Sequence, residues 1–225
     1  MSTAAALQPV APEPVVVYPD SDGQPMADNT EQFEFIRDTQ SNLDACLPHF
    51  VAGDHLWYPV KGHPEIRVAP DVYVVIGRPK GHRGSYKQFE EGDVPLTVVF
   101  EWWSPNSNFN EQLRKHQFYE RHGVQEFYAW DQARNHFSAF VREGGRLEPV
   151  NADEGWTSPL LGIRFAVKDD ALHMFRPDGQ PFRSLAEMEK LRDAAAAERD
   201  AAMAATEKLA AKLRELGIDP ATLAK

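Results

Sequence analysis

The sequence predicts an α/β (α+β) fold: a mixed sheet flanked by helices, with added antiparallel hairpins and a long C-terminal helix. Three observations carry this expectation. Short runs rich in β-branched and aromatic residues, such as residues 97–104, alternate with segments of helical periodicity. Turn-forming pairs, Gly144-Gly145 and Asp169-Asp170, separate adjacent strand-like runs. The last segment, residues 184–216, contains neither Gly nor Pro and is dominated by Ala, Glu, Lys, Arg and Leu. Helices separate the strands only in part, which argues against a doubly wound sheet.

Taken in order, residues 1–28 read as an extended leader. Pro9, Pro12, Pro14, Pro19 and Pro25 break helices and withhold ladder donors, leaving only residues 15–18 as a short strand. A domain is expected over residues 29–183. A helix over residues 30–47 places Phe33, Ile36 and Leu43 near one face, with Asn29 or Thr30 as N-cap and Pro48 as stop. Strands follow at residues 50–52, 56–60, 68–76 and 97–104, with a polar, glycine-containing loop over residues 77–93. Asn108 and Glu111 have capping-box spacing at the start of a second helix that ends near His122 and Gly123. Strands at residues 126–130, 136–142 and 146–150, then a hairpin pair at 163–167 and 171–175, complete the domain. In residues 184–225, Met188, Ala195, Ala202, Leu209 and Leu216 recur every seven positions, so this helix is expected to be amphipathic with a weak coiled-coil seam and to pair with a second copy as a homodimer.

Composition limits the function classes. The chain has 225 residues and a formal net charge of -10, with Lys and Arg together 24 against 34 Asp and Glu. Proteins that coat nucleic acid non-specifically are usually basic, so any nucleic-acid contact here needs a local basic patch. The single cysteine, Cys46, excludes an internal disulfide and a cysteine-rich zinc site. No apolar run approaches the ~18 residues of a membrane span. The start shows no basic n-region followed by an apolar run, and a cytoplasmic location is expected.

The chemistry concentrates in one constellation. Asp71 opens an apolar strand after Pro70, and Glu101 lies deep inside Val98-Val99-Phe100-Glu101-Trp102-Trp103. Ionising an unpaired carboxylate in such a run costs several kcal/mol. A metal, a basic partner or protonation must offset that cost. If the two strands are neighbours, both carboxylates meet, and such an oxygen pair with waters suits Mg²⁺ or Mn²⁺. Otherwise Glu101 is simply salt-bridged. Lys115 follows on the second helix, with Tyr119 four residues on and on the same face. Near a metal-bound water it could orient or help deprotonate it, or it could neutralise phosphate; alternatively it is a solvated lysine. Arg114, adjacent, is expected to turn away. Arg78, Lys80, Arg83 and Lys87 form a stretch without acids that either contacts phosphates or is solvated. Asp54 fits a turn better than an additional ligand position. His49, His55, His63 and His82 lack zinc spacing, and there is neither a P-loop nor a nucleophile elbow.

Several strings taken together resemble a known family. They are Pro70-Asp71-Val72, Glu101-Trp102-Trp103-Ser104-Pro105, the stretch from Lys115 to Tyr119, and Gly123-Val124-Gln125-Glu126-Phe127-Tyr128. Tyr18-Pro19-Asp20, Val51-Ala52-Gly53-Asp54, Gly77-Arg78-Pro79-Lys80-Gly81 and Arg176-Pro177-Asp178-Gly179 add to the likeness. In order and spacing, over about residues 15–182, they are similar to the Uma-type family of predicted restriction endonucleases in the PD-(D/E)XK nuclease superfamily. The resemblance implies a restriction endonuclease-like fold. It matches Asp71 and Glu101 to the motif acids that hold the metal. The superfamily lysine normally sits two residues after the second acid, where this chain has Trp103. The resemblance implies a lysine moved to the following helix, with Lys115 as the match. Trp102 is then expected in the core and Trp103 along the cleft. The implied function is metal-dependent hydrolysis of phosphodiester bonds in DNA by Asp71, Glu101 and Lys115. The alternative is an inactive module of the same fold that binds DNA or protein and assembles through its C-terminal helix.

Overall fold

The computed structural model describes residues 16–21, 23, 27–217 and 219. It divides into two compact units, Met1–Pro181 and Phe182–Lys225.

The first unit is built on a six-stranded mixed sheet. Helix α1, Thr30–Cys46, starts where Asn29 Oδ1 accepts the Gln32 backbone N–H, and it stops before Pro48. Ile36, Thr39, Asn42 and Leu43, at helical spacing, form its buried face. Strands β1 (Phe50–Gly53), β2 (Trp57–Tyr58) and β3 (Val72–Val75) follow, then β4 (Tyr86–Lys87) and a 3₁₀ turn over Gln88–Glu90. Strand β5 is Val98–Trp103, α2 is Phe109–Arg121 and β6 is Glu126–Asp131. The hairpin of β7 (His136–Glu143) and β8 (Arg146–Val150) closes this sheet; β9 (Trp156–Thr157), β10 (Arg164–Lys168) and β11 (Ala171–Phe175) come last.

The large sheet runs β1-β3-β5-β6-β7-β8. Only β5 and β6 are parallel neighbours in it, joined by the crossover through α2, and every other pair is antiparallel. Both glycines of the β7–β8 turn have positive φ, 55° and 89°, a conformation that side chains with a Cβ avoid. Strands β11-β10-β9 form a second sheet, and β2 with β4 a small parallel pair. Phe50, Trp57, Tyr73, Val99, Trp103, Tyr119 and Phe127 belong to one core cluster that packs α2 onto the sheet. Gly53 lets α1 approach closely: a Cβ there would lie 2.9 Å from Ile36 Cγ2 and 3.1 Å from the Asp71 carbonyl oxygen.

Three elements depart from the sequence expectation. The loop over residues 77–93 contains β4, whose two residues are too short for a periodicity to register. Strand β9 is equally short and exists through its pairing with β10. Residues 16–18 are not a strand, and Val15 lies outside the described residues. Instead Tyr18 packs against Tyr58 and Phe89, and the Pro19 carbonyl accepts the Tyr58 hydroxyl at 2.6 Å, so this part of the expected leader is joined to the domain.

The second unit contains α3, Leu185–Glu215, begun by a complete capping box between Ser184 and Glu187. None of its residues is buried, and Leu191, Met203 and Leu209 are exposed. Among the described residues no helix is long and apolar enough to cross a membrane.

Candidate active site

Register brings the two acids together. Strands β3 and β5 pair Val72 with Phe100, so one step further along the antiparallel ladder sets Asp71 opposite Glu101. Both are buried. The Asp71 Oδ2 accepts the Trp102 backbone N–H at 2.6 Å, and the Gln32 side-chain amide donates to both Asp71 oxygens at 3.2 and 3.3 Å. Glu101 is engaged from α2. Its Oε2 accepts Lys115 Nζ at 2.8 Å, and its Oε1 accepts the Tyr119 hydroxyl. Lys115 also reaches the Ala69 carbonyl at 3.4 Å, just ahead of Pro70 and Asp71. Helical four-residue spacing is what lets Lys115 and Tyr119 grip the same carboxylate.

The electrostatics follow from burial. Removal from water pushes the Glu101 carboxyl up to about 8; Lys115 opposes the shift and the Asp71 carboxylate adds to it. Burial likewise raises Asp71, again against Lys115. Burial acts to lower the Lys115 ammonium, but Glu101 and Asp71 outweigh it and the lysine stays charged. Burial, then Glu101, raises the Tyr119 hydroxyl well above its ordinary value, so it remains a donor. Two carboxyls thus share one lysine: burial favours the protonated form of each, and the Lys115 charge opposes it.

These groups open onto a cleft of about 640 Å³ that is also lined by Asp54, Arg67, Trp102, Trp103, Glu111 and Arg114. Trp103 is only 7% exposed, packed edge-on against Phe127, with Lys115 Nζ 5.5 Å above its ring. The position where a strand lysine is usual is therefore filled by a core side chain, and the helix supplies the cation above it. Trp102, expected in the core, is the less buried of the two; it packs between Phe35 and Trp130 at the cleft wall. Arg114 does not turn away, since it lines the same cleft as Lys115. Asp54 adopts a left-handed turn, φ 44°, at the cleft edge.

The stretch containing Arg78, Lys80, Arg83 and Lys87 lies apart, and none of the four lines this cleft. Lys80 pairs with Asp44 at 3.1 Å, Arg83 with Glu91 at 2.6 Å and Lys87 with Glu90 at 3.9 Å. Arg83 additionally lies 4.0 Å over the Phe50 ring, and Arg78 packs beside Gly92. A buried acid elsewhere, Glu126, is fully satisfied by Tyr128, Ser158 and the Leu160 N–H, which fasten the segment after β9 to the sheet. Among the cleft residues that carried no site signal in the sequence are Gln32, which reads as an ordinary first-turn residue of α1, and Arg67, which stands alone in a loop.

The donor set suits a hard cation. It consists of oxygens only, from two buried carboxyls, with the Trp102 carbonyl 3.4 Å from the same Gln32 amide that touches Asp71. Among the described residues no group of three or more His, Cys, Asp or Glu is placed to hold a metal.

A mixed sheet carrying two facing acids, with a lysine and a tyrosine on the crossover helix, defines an α/β protein with a buried acid–lysine site at the wall of an open cleft. A family model described as "Putative restriction endonuclease", Uma2, matches residues 28–168, and the chain belongs to that family. A crystal structure of a "putative nuclease belonging to DUF820" from Anabaena variabilis ATCC 29413 is similar at 12% identity and a TM-score of 0.42, over 63% of this chain and 80% of that one. No curated protein matches the chain.

Proposed function

We infer that this chain is a divalent-cation-dependent endonuclease that hydrolyses phosphodiester bonds in DNA. The observation that carries the reading is the convergence of Asp71, Glu101 and Lys115 on one cleft wall, with Lys115 Nζ 2.8 Å from Glu101. In this reading Asp71 and Glu101 hold Mg²⁺ or Mn²⁺, and the bound ion supplies Lewis-acid stabilisation of charge developing on the phosphate. Tyr119 fixes the Glu101 rotamer. Lys115, charged and directed at the same place, orients the attacking water or neutralises phosphate oxygens. Arg67 and Arg114 offer phosphate contacts along the cleft, and Arg78, Lys80, Arg83 and Lys87 remain proposed contacts only for a strand that extends beyond it. Trp103 supports the enzymatic reading over the inactive module, because it packs into the core and leaves Lys115 access to the acids.

The test is incubation of plasmid and single-stranded DNA with Mg²⁺, Mn²⁺ or EDTA. Cleavage that needs the ion is expected. Binding of DNA without cleavage under any of these conditions favours the inactive module.

Helix α3 is proposed to pair two copies through its seven-residue seam. A helix this long with no buried residue gains little from propensity alone and needs a partner surface. Sedimentation of the full chain should give a dimer, and the paired substitutions Ala195→Glu and Ala202→Glu should shift it to monomer. A full chain that is monomeric at high concentration refutes the pairing.

A further inference from the structure

The Gln32 side chain places a carboxamide in the lining of the cleft. Its nitrogen lies 3.2 and 3.3 Å from the two Asp71 oxygens and 3.4 Å from the Trp102 carbonyl oxygen. Three acceptors, two of them on one buried carboxyl, converge on a group with only two N–H donors. All three contacts are long, whereas the Trp102 N–H reaches Asp71 at 2.6 Å. The amide cannot turn over freely, since its Oε1 accepts the Asp28 N–H at 2.8 Å, which holds the donor face toward the acid. A motif acid and a main-chain carbonyl of the adjoining strand are drawn around a weak donor where a cation would satisfy them better.

We propose that Gln32 is a positioning residue that stands in for the cation: in the metal-free protein its amide nitrogen keeps the Asp71 and Trp102 oxygens gathered, and ion binding displaces it. The inference rests on the cation-dependent reading above and adds that Gln32 sets the affinity. A glutamine whose sole duty is to tie α1 to the sheet would not control cation affinity.

Two measurements test it. The first is calorimetric titration of Mg²⁺ and Mn²⁺ into the wild-type chain, Gln32→Glu and Gln32→Ala, with folding verified by circular dichroism. Gln32→Glu exchanges the donor for a third carboxylate and should tighten binding roughly tenfold or more, because ligand charge count tunes affinity. Gln32→Ala removes the occupant without adding a ligand and should tighten it by a smaller factor. Unchanged affinity in both variants, or weaker binding in Gln32→Ala, overturns the inference and leaves the cation-dependent reading standing. Binding by Gln32→Glu but by neither the wild-type chain nor Gln32→Ala overturns both, because the added carboxylate alone then makes the site. If no form binds either ion, both fall. The second measurement needs no variant: on adding Mg²⁺, the Gln32 side-chain amide resonances should shift and exchange faster with water. Resonances that stay unmoved while the ion binds overturn the inference.

Discussion

Glu101→Gln should abolish Mg²⁺ binding in calorimetry while the protein stays folded. The substitution keeps length and polarity and removes the charge that a hard cation requires. It should also change how the metal-free protein responds to pH. The Glu101 carboxyl has an ordinary value of 4.5 and is pushed to about 8 in the fold. Between those values the unfolded chain has released the proton and the folded chain still binds it. Stability from this group is therefore complete below 4.5 and is lost as pH rises through about 8. In the Glu101→Gln variant that part of the slope is missing, so its denaturant midpoints should exceed those of wild type most clearly near pH 8 and converge toward pH 5. Undiminished Mg²⁺ affinity would show that the ion does not use Glu101, and parallel pH slopes would show that its proton affinity is not raised.

Lys115→Met should lower cation-dependent cleavage by roughly 10²-fold or more, the usual scale for a lost acid–base or electrostatic group. Methionine keeps most of the apolar stem and favours helix, so α2 should persist. The loss of counter-charge is tolerable because Glu101, already raised, takes up a proton. DNA affinity should change little, one cationic contact being a small share of phosphate attraction. Arg114 is an unsuitable control because it lines the cleft. Arg121, at the exposed end of α2, is suitable, and Arg121→Met should be neutral. Equal losses in the Lys115 and Arg121 variants would make Lys115 part of a general basic surface. No loss in either would remove its role in turnover.

Much of the fold was legible because its signals are local. Asn29 and Asn108 each accept a first-turn N–H, as their positions before helical runs predict, and Ser184 does the same at the start of α3. Glycine and aspartate pairs mark the tight turns after β7 and β10. Asp71 and Glu101 were legible as acids in apolar strands, and their meeting required only that β3 and β5 be neighbours. What stayed hidden depends on partners distant in the chain. Lys80 has no acid beside it in the sequence, yet it pairs with Asp44, 36 positions upstream, while Arg83 finds Glu91 eight residues on, near the end of the same loop. Gln32 sits where a first-turn side chain could equally point to solvent, and no periodicity distinguishes the two. Trp103 lines the cleft as expected, but Trp102 is half-buried at the cleft wall rather than in the core, because alternation fixes which face a residue takes, not how thickly that face is covered.

The span of chain between site residues has an entropic consequence. Glu101 and Lys115 are 14 positions apart, within one strand–helix unit, whereas Gln32 and Asp71 are 39 apart. Loop-closure entropy grows only with the logarithm of length, so the longer contact costs about 0.9 kcal/mol more to close than the shorter. That is comparable to what a single buried CH₂ group contributes to stability. Recruiting α1 from far upstream into the site therefore costs little in chain entropy, and insertions in the intervening loops would weaken the contact only slightly, provided that β3 keeps its register against β5.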